Sequence, residues 1–155
     1  MSIPVIDIFA GPGGLGEGFS SLKDGNGESI FKLCLSIEKD ANAHKTLELR
    51  SFFRQFPDGK APEEYYKYLR NEGITRDELF SKYRKEADQA HAEAWHFELC
   101  ENNALQIDQR IKKSLKGAGQ WVLLWGLPCQ AYSIIRHIIR MIENGKSNIY
   151  DKDNH

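Results

Sequence analysis

No apolar run in the 155 residues is long enough to cross a bilayer. The N-terminus lacks the basic-then-apolar layout of a secretory leader. Cysteine is scarce: Cys34, Cys100 and Cys129 are an odd, sparse set. Such a set argues against a disulfide framework and fits free thiols in a reducing compartment. Net charge is nearly absent, at −1. Any nucleic-acid binding must therefore come from a local basic patch rather than from overall charge. There is no internal repeat and no low-complexity segment. The chain reads as one cytoplasmic domain of ordinary globular composition, 41% hydrophobic and 28% charged.

What the chain has in quantity is glycine in one place. Val5-Ile6-Asp7-Ile8-Phe9-Ala10-Gly11-Pro12-Gly13-Gly14-Leu15-Gly16 joins a β-branched apolar run to a glycine-dense turn. The run from Ile3 to Ile8 predicts a buried parallel strand. Leu15 to Leu22 predicts a helix whose N-terminal amides favour an anionic or polar group. Strand, glycine turn and helix form the first unit of a nucleotide-type cofactor site. In that context the pattern is more specific than a lone glycine motif.

A second apolar run, Phe31 to Ile37, predicts strand two and ends at Glu38-Lys39-Asp40. Asp40 is placed to cap a helix from Ala41 to about Phe53. The two strands and the helix between them make a βαβ unit. Residues 56–100 are charged and aromatic and read as a helical insertion on an α/β core. Helices are expected over Pro62–Leu69 and from Thr75 to about Cys100, with Thr75 and Glu78 as a capping box. Tyr65, Tyr66, Tyr68, Phe80 and Tyr83 are assigned to packing. Leu105–Leu115 is either an amphipathic helix or contains a short strand. Trp121–Trp125 is fully apolar and predicts a further, central strand. Ile134, Ile135, Ile138, Ile139 and Ile142 recur at helical spacing up to Asn144-Gly145, a C-cap signal.

Three sites carry candidate chemistry. Glu38 ends strand two beside the glycine turn, where a carboxylate can accept both hydroxyls of a ribose or simply cap a helix. Cys129 follows Pro128 just past the Trp121–Trp125 strand; a thiol there is either a nucleophile or a packing residue, and the residues alone leave both open. His91, His96 and Cys100 do not share a helical face and offer no fourth ligand, so no metal site is expected. Arg110, Lys112, Lys113, Lys116, Arg136, Arg140 and Lys146 are either a basic face or a solvated surface.

Asp7-Ile8-Phe9-Ala10-Gly11-Pro12-Gly13-Gly14, then Ser36-Ile37-Glu38-Lys39-Asp40, then Leu127-Pro128-Cys129-Gln130-Ala131-Tyr132-Ser133, in that order, resemble the DNA (cytosine-5)-methyltransferase family. The resemblance covers residues 3–46 and 121–133. It implies the Rossmann-like sheet of S-adenosylmethionine-dependent methyltransferases, here the N-terminal part of a catalytic domain over residues 1–155. It implies methylation of carbon 5 of a cytosine flipped out of double-stranded DNA. By position, Phe9 would contact the adenine ring of S-adenosylmethionine, and the backbone of Ala10, Gly11, Pro12, Gly13 and Gly14 would wrap its methionine part. Glu38 would hold the ribose, with Lys39 beside the adenine. Asp108 stands near the position of the acid that binds the adenine amino group. Cys129 would attack carbon 6, with Pro128 shaping the approach. Thiolate addition makes carbon 5 nucleophilic towards a methyl sulfonium; a serine would be too weak at neutral pH.

The chain departs from the family at Trp125-Gly126-Leu127-Pro128, where two prolines usually precede the cysteine. An apolar helix also stands where the family has a Gly-, Ser- and Arg-rich mobile loop. The family's Glu-Asn-Val and arginine motifs, recognition region and closing motif have no counterpart. A fragment or a degenerate member is expected, with weak cofactor binding and no methyl transfer by these 155 residues alone. Two other readings stay open. Gly11, Gly13 and Gly16 also fit an NAD-binding oxidoreductase. A non-catalytic module that uses the basic face is the second.

Overall fold

The computed structural model describes residues 2–126, 135, 136 and 138–140. The elements are β1 (Ile3–Ile8), α1 (Gly14–Ser20), β2 (Phe31–Glu38), α2 (Ala41–Arg54), α3 (Glu63–Leu69), α4 (Arg76–Lys82), α5 (Arg84–Glu93), β3 (Ala94–His96), α6 (Ala104–Leu115) and β4 (Val122–Trp125). A 3-10 turn at Glu101–Asn103 leads into α6. The four strands form one parallel sheet in the order β3-β2-β1-β4. This is a Rossmann-like α/β arrangement.

The alternation of β1 sorts the two faces. Ile6 and Ile8 point one way and cluster with Leu35, Ile37, Ile107, Ile111, Ile135 and Ile138, so α6 covers that face. Val5 points the other way and clusters with Leu33 and Leu124. Leu33 and Leu35 are two apart yet serve opposite faces, because the register steps from Val5↔Leu33 to Ile6↔Leu35. Cys34 is the extra residue of that bulge.

Asp40 caps α2 as its sequence predicts, accepting from the amides of Asn42 and Ala43. The Thr75–Glu78 capping box is present at the start of α4. Helices α3, α4 and α5 pack on α2 around Phe52, which is fully buried with Tyr65, Leu79, Ala87 and Ala90. Tyr66, Tyr68, Phe80 and Tyr83 pack against the same cluster. Phe80 stacks on Phe52 with ring centroids 4.7 Å apart.

One expectation is corrected. The helix expected from Thr75 to Cys100 is instead α4, a break, α5 and then β3. Tyr83 leaves helical space at φ −115°, ψ 57°, and its hydroxyl donates to Glu64. After Glu93, Ala94 to His96 pair with Ser36 to Glu38, and that pairing makes them a strand. Among the described residues the strand expected at Trp121–Trp125 forms as β4 and pairs with β1 alone. Leu123 packs on the α6 side and Leu124 on the other, while Trp125 is exposed. The open question over residues 105–115 closes in favour of a helix, α6. The C-cap signal at Asn144-Gly145 lies outside the described residues.

Candidate active site

Parallel pairing sets the C-terminal ends of β1, β2 and β4 on one edge, with Ile8 opposite both Ile37 and Trp125. The glycine turn leaves this edge directly after β1. Phe9 takes a left-handed backbone at φ 56°, which is strained for a bulky residue. The Ala10 amide donates to the Ile37 carbonyl at 3.0 Å, and the Gly13 amide donates to the Ala10 carbonyl at 3.0 Å, closing the turn. Gly13 needs its lack of a side chain twice. Its φ is 89°, and a Cβ there would stand 2.8 Å from Leu47 Cδ1 of α2. A Cβ on Gly16 would meet Leu33 at 3.0 Å and the Asp7 carboxylate at 3.1 Å, so α1 lies directly on the sheet. Around Gly11 and Gly14 a Cβ would find nothing within 4 Å, so that side of the turn is open.

Glu38 ties β2 to the turn. One carboxylate oxygen accepts from the Gly11 amide at 2.8 Å and the other from the Asp40 amide at 2.7 Å. Lys39 is exposed, with Nζ 3.5 Å from the Glu98 carboxylate beyond β3. His96 ends β3 and donates through Nε2 to the Lys39 carbonyl at 2.9 Å. Its ring stacks on His44, whose Nε2 donates to the Ala94 carbonyl at 3.0 Å. Of the thiols, Cys34 lies in the β2 bulge, where burial pushes its pKa up and suits it poorly to nucleophilic work.

The structure thus gathers Phe9, Ala10, Gly11, Pro12, Gly13, Gly14, Glu38 and Lys39 along one sheet edge. Asp108 is half-buried in the second turn of α6, and the acid that follows β3 is Glu98. Pro128 and Cys129 lie outside the described residues. His91 pairs with Glu48, His96 bonds Lys39, and Cys100 precedes the 3-10 turn. Among the described residues no group of three His, Cys, Asp or Glu side chains could hold a metal ion.

Sequence reasoning gave no role to the ionised cluster beneath the turn. Asp7 is 1% exposed, and among the described residues neither of its oxygens has a hydrogen-bond partner. Burial pushes its pKa up to about 6; the Arg54 charge opposes this, Glu38 adds to it, and the Gly16 amide dipole opposes it. Arg54 donates to Glu17 at 2.6 Å and to Glu93 at 2.5 Å. The one sequence signal for this cluster is an acid inside an otherwise apolar strand.

The chain is similar to a Type II methyltransferase. That relative is M.Bpa9945I of Bacillus paralicheniformis, 29% identical over 147 residues that make up 84% of this chain and 32% of the relative. The chain therefore spans about a third of the length of the curated relative it matches. No protein-family model matches the chain. No solved structure matches it. Among the described residues no helix is long and apolar enough to cross a membrane.

Proposed function

We propose that this chain is the cofactor-binding and nucleophile-bearing part of a cytoplasmic DNA (cytosine-5)-methyltransferase, with residues 56–100 as a helical insertion. The observation that carries the reading is the Glu38 carboxylate seated on the Gly11 amide. It sets an acid at the end of β2 against an open glycine turn, the geometry that a ribose-bearing cofactor needs.

The residues fit S-adenosylmethionine. Each Glu38 oxygen uses one lone pair on a backbone amide and keeps another for a ribose hydroxyl. Phe9 and the backbone from Ala10 to Gly14 would line the rest, with Lys39 beside the adenine. For the adenine amino group, Glu98 joins Asp108 as a candidate, because ligands gather past the C-terminal ends of strands. The bound cofactor supplies a methyl group on a sulfonium. Cys129, approached through Pro128, would add as a thiolate to carbon 6 of a cytosine flipped from double-stranded DNA. Carbon 5 would then take the methyl group, leaving S-adenosylhomocysteine, and removal of the carbon 5 proton by a base with expulsion of the thiolate would restore the ring.

The test has two arms. Calorimetry should show S-adenosylhomocysteine binding that weakens in Glu38→Ala; NAD binding in its place would favour the oxidoreductase reading. A protein of the relative's full length, carrying this chain, should transfer labelled methyl to cytosine-containing duplex DNA and lose that activity in Cys129→Ser. Equal transfer by Cys129→Ser would reject the adduct mechanism.

A further inference from the structure

We infer that Arg54 is a positioning residue that locks the glycine turn to the helical insertion; its relevance to a cofactor rests on the reading above. One guanidinium, 14% exposed, joins three helices. It is the last residue of α2, and it holds Glu17 in α1 and Glu93 at the end of α5. Each partner occupies a position with leverage. Glu17 lies in the first turn of α1, directly after the glycine turn. Glu93 immediately precedes β3, so its position sets where β3 joins β2 beside Glu38.

The turn needs such a lock. Helix α1 has seven residues, and its N-cap, Gly13, offers no side chain to bind the first amides. A helix this short is not stable on its own and depends on tertiary contacts. Besides the Arg54–Glu17 pair, it is held by the packing of Phe19 on Phe31 and by the close approaches of Gly13 to Leu47 and of Gly16 to Leu33. Arg54 also provides the main opposing charge to the buried Asp7 beneath the turn. Glu93 is buried as well, and burial pushes its carboxyl above the ordinary range against the pull of Arg54. The insertion thus reaches the turn through an ionic contact rather than through the aromatic cluster alone.

The experiment separates positioning from plain stability. Replacing a buried ion pair by apolar groups of similar volume is often neutral or stabilising. Measured at about pH 5, where Asp7 holds its proton and needs no opposing charge, the double variant Arg54→Met with Glu93→Met should therefore keep a wild-type unfolding midpoint while leaving Glu17 unheld. Amide hydrogen exchange over residues 11–18 should then rise about tenfold, while β1 and β2 amides keep their protection. Glu17→Ala, at a 39% exposed side chain, removes the same link without disturbing the buried pair and should give the same local effect. Wild-type exchange over residues 11–18 in Glu17→Ala, or its recovery together with stability in the double variant, would overturn the inference. Because exchange is read without ligand, a chain that binds no S-adenosylhomocysteine but still shows the local effect would defeat the cofactor reading and leave this one standing.

Discussion

The Glu38 carboxylate and the Gly11 amide, 27 residues apart in sequence, lie 2.8 Å from each other. The contact joins the first two βα junctions at the sheet edge. It is a charge-assisted hydrogen bond, and the second Glu38 oxygen makes another to Asp40. Glu38→Ala should cost about 2 kcal/mol in urea unfolding, with a further loss of S-adenosylhomocysteine affinity in calorimetry. Glu38→Gln, which keeps one acceptor, should fall between the two.

Neighbouring glycines should behave oppositely. Gly13→Ala meets both a left-handed φ and the Leu47 side chain, and should destabilise by roughly 1–3 kcal/mol. Gly14→Ala meets open space at the first position of α1 and should stabilise by up to about 1 kcal/mol. Thermal unfolding of the two variants checks the contrast. Equal effects would refute the packing account of Gly13.

Asp7 makes the fold sensitive to pH with a definite sign. Its folded pKa of about 6 lies above its ordinary 3.8. Between these values the folded chain holds a proton that the unfolded chain has lost. Stability therefore falls as pH rises from about 4 to 6, and the full cost, on the order of 3 kcal/mol, is present above pH 6. Asp7→Asn should flatten this part of the stability profile and leave the protein at least as stable at pH 7. Urea midpoints measured across that range decide it.

The aromatic cluster should be the main support of the helices after α2. Phe52 touches the rings of Phe56, Tyr65, Phe80 and Tyr83. Phe52→Ala should cost about 3–5 kcal/mol and release amide protection in α3 to α5 before β1. Simultaneous loss of protection in both regions would show that the cluster and the sheet form one cooperative unit.

Where local chemistry decides an element, the sequence was enough. The β-branched run of β1, the Asp40 cap and the Thr75–Glu78 box are each contained within a few residues, and each stands where it was expected. Elements that depend on distant partners were not legible. Ala94, Trp95 and His96 are too few to show a period, and only the exposed edge of β2 makes them a strand. Tyr83 breaks a helix with no glycine or proline to announce it. At the candidate site, the turn and Glu38 were readable because a strand ending in glycine is a local pattern. The Arg54 link was not, because its partners are 37 and 39 residues away.

The bulge at Cys34 also constrains how the chain can change in length. Upstream of it β2 presents Leu33 to the α1 side, and downstream it presents Leu35 and Ile37 to the α6 side. Removing one residue here would turn one half of the strand over, moving Leu33, or Leu35 and Ile37, out of their own cluster and putting Lys32 or the already buried Ser36 in their place. Adding one would do the same in the other direction. The polar turn at residues 23–29 has no such parity and is mostly exposed. Insertions and deletions between β1 and Glu38 should therefore be accepted in that turn and rejected within β2, so the distance in sequence from Gly11 to Glu38 is free to vary while their distance in space is not.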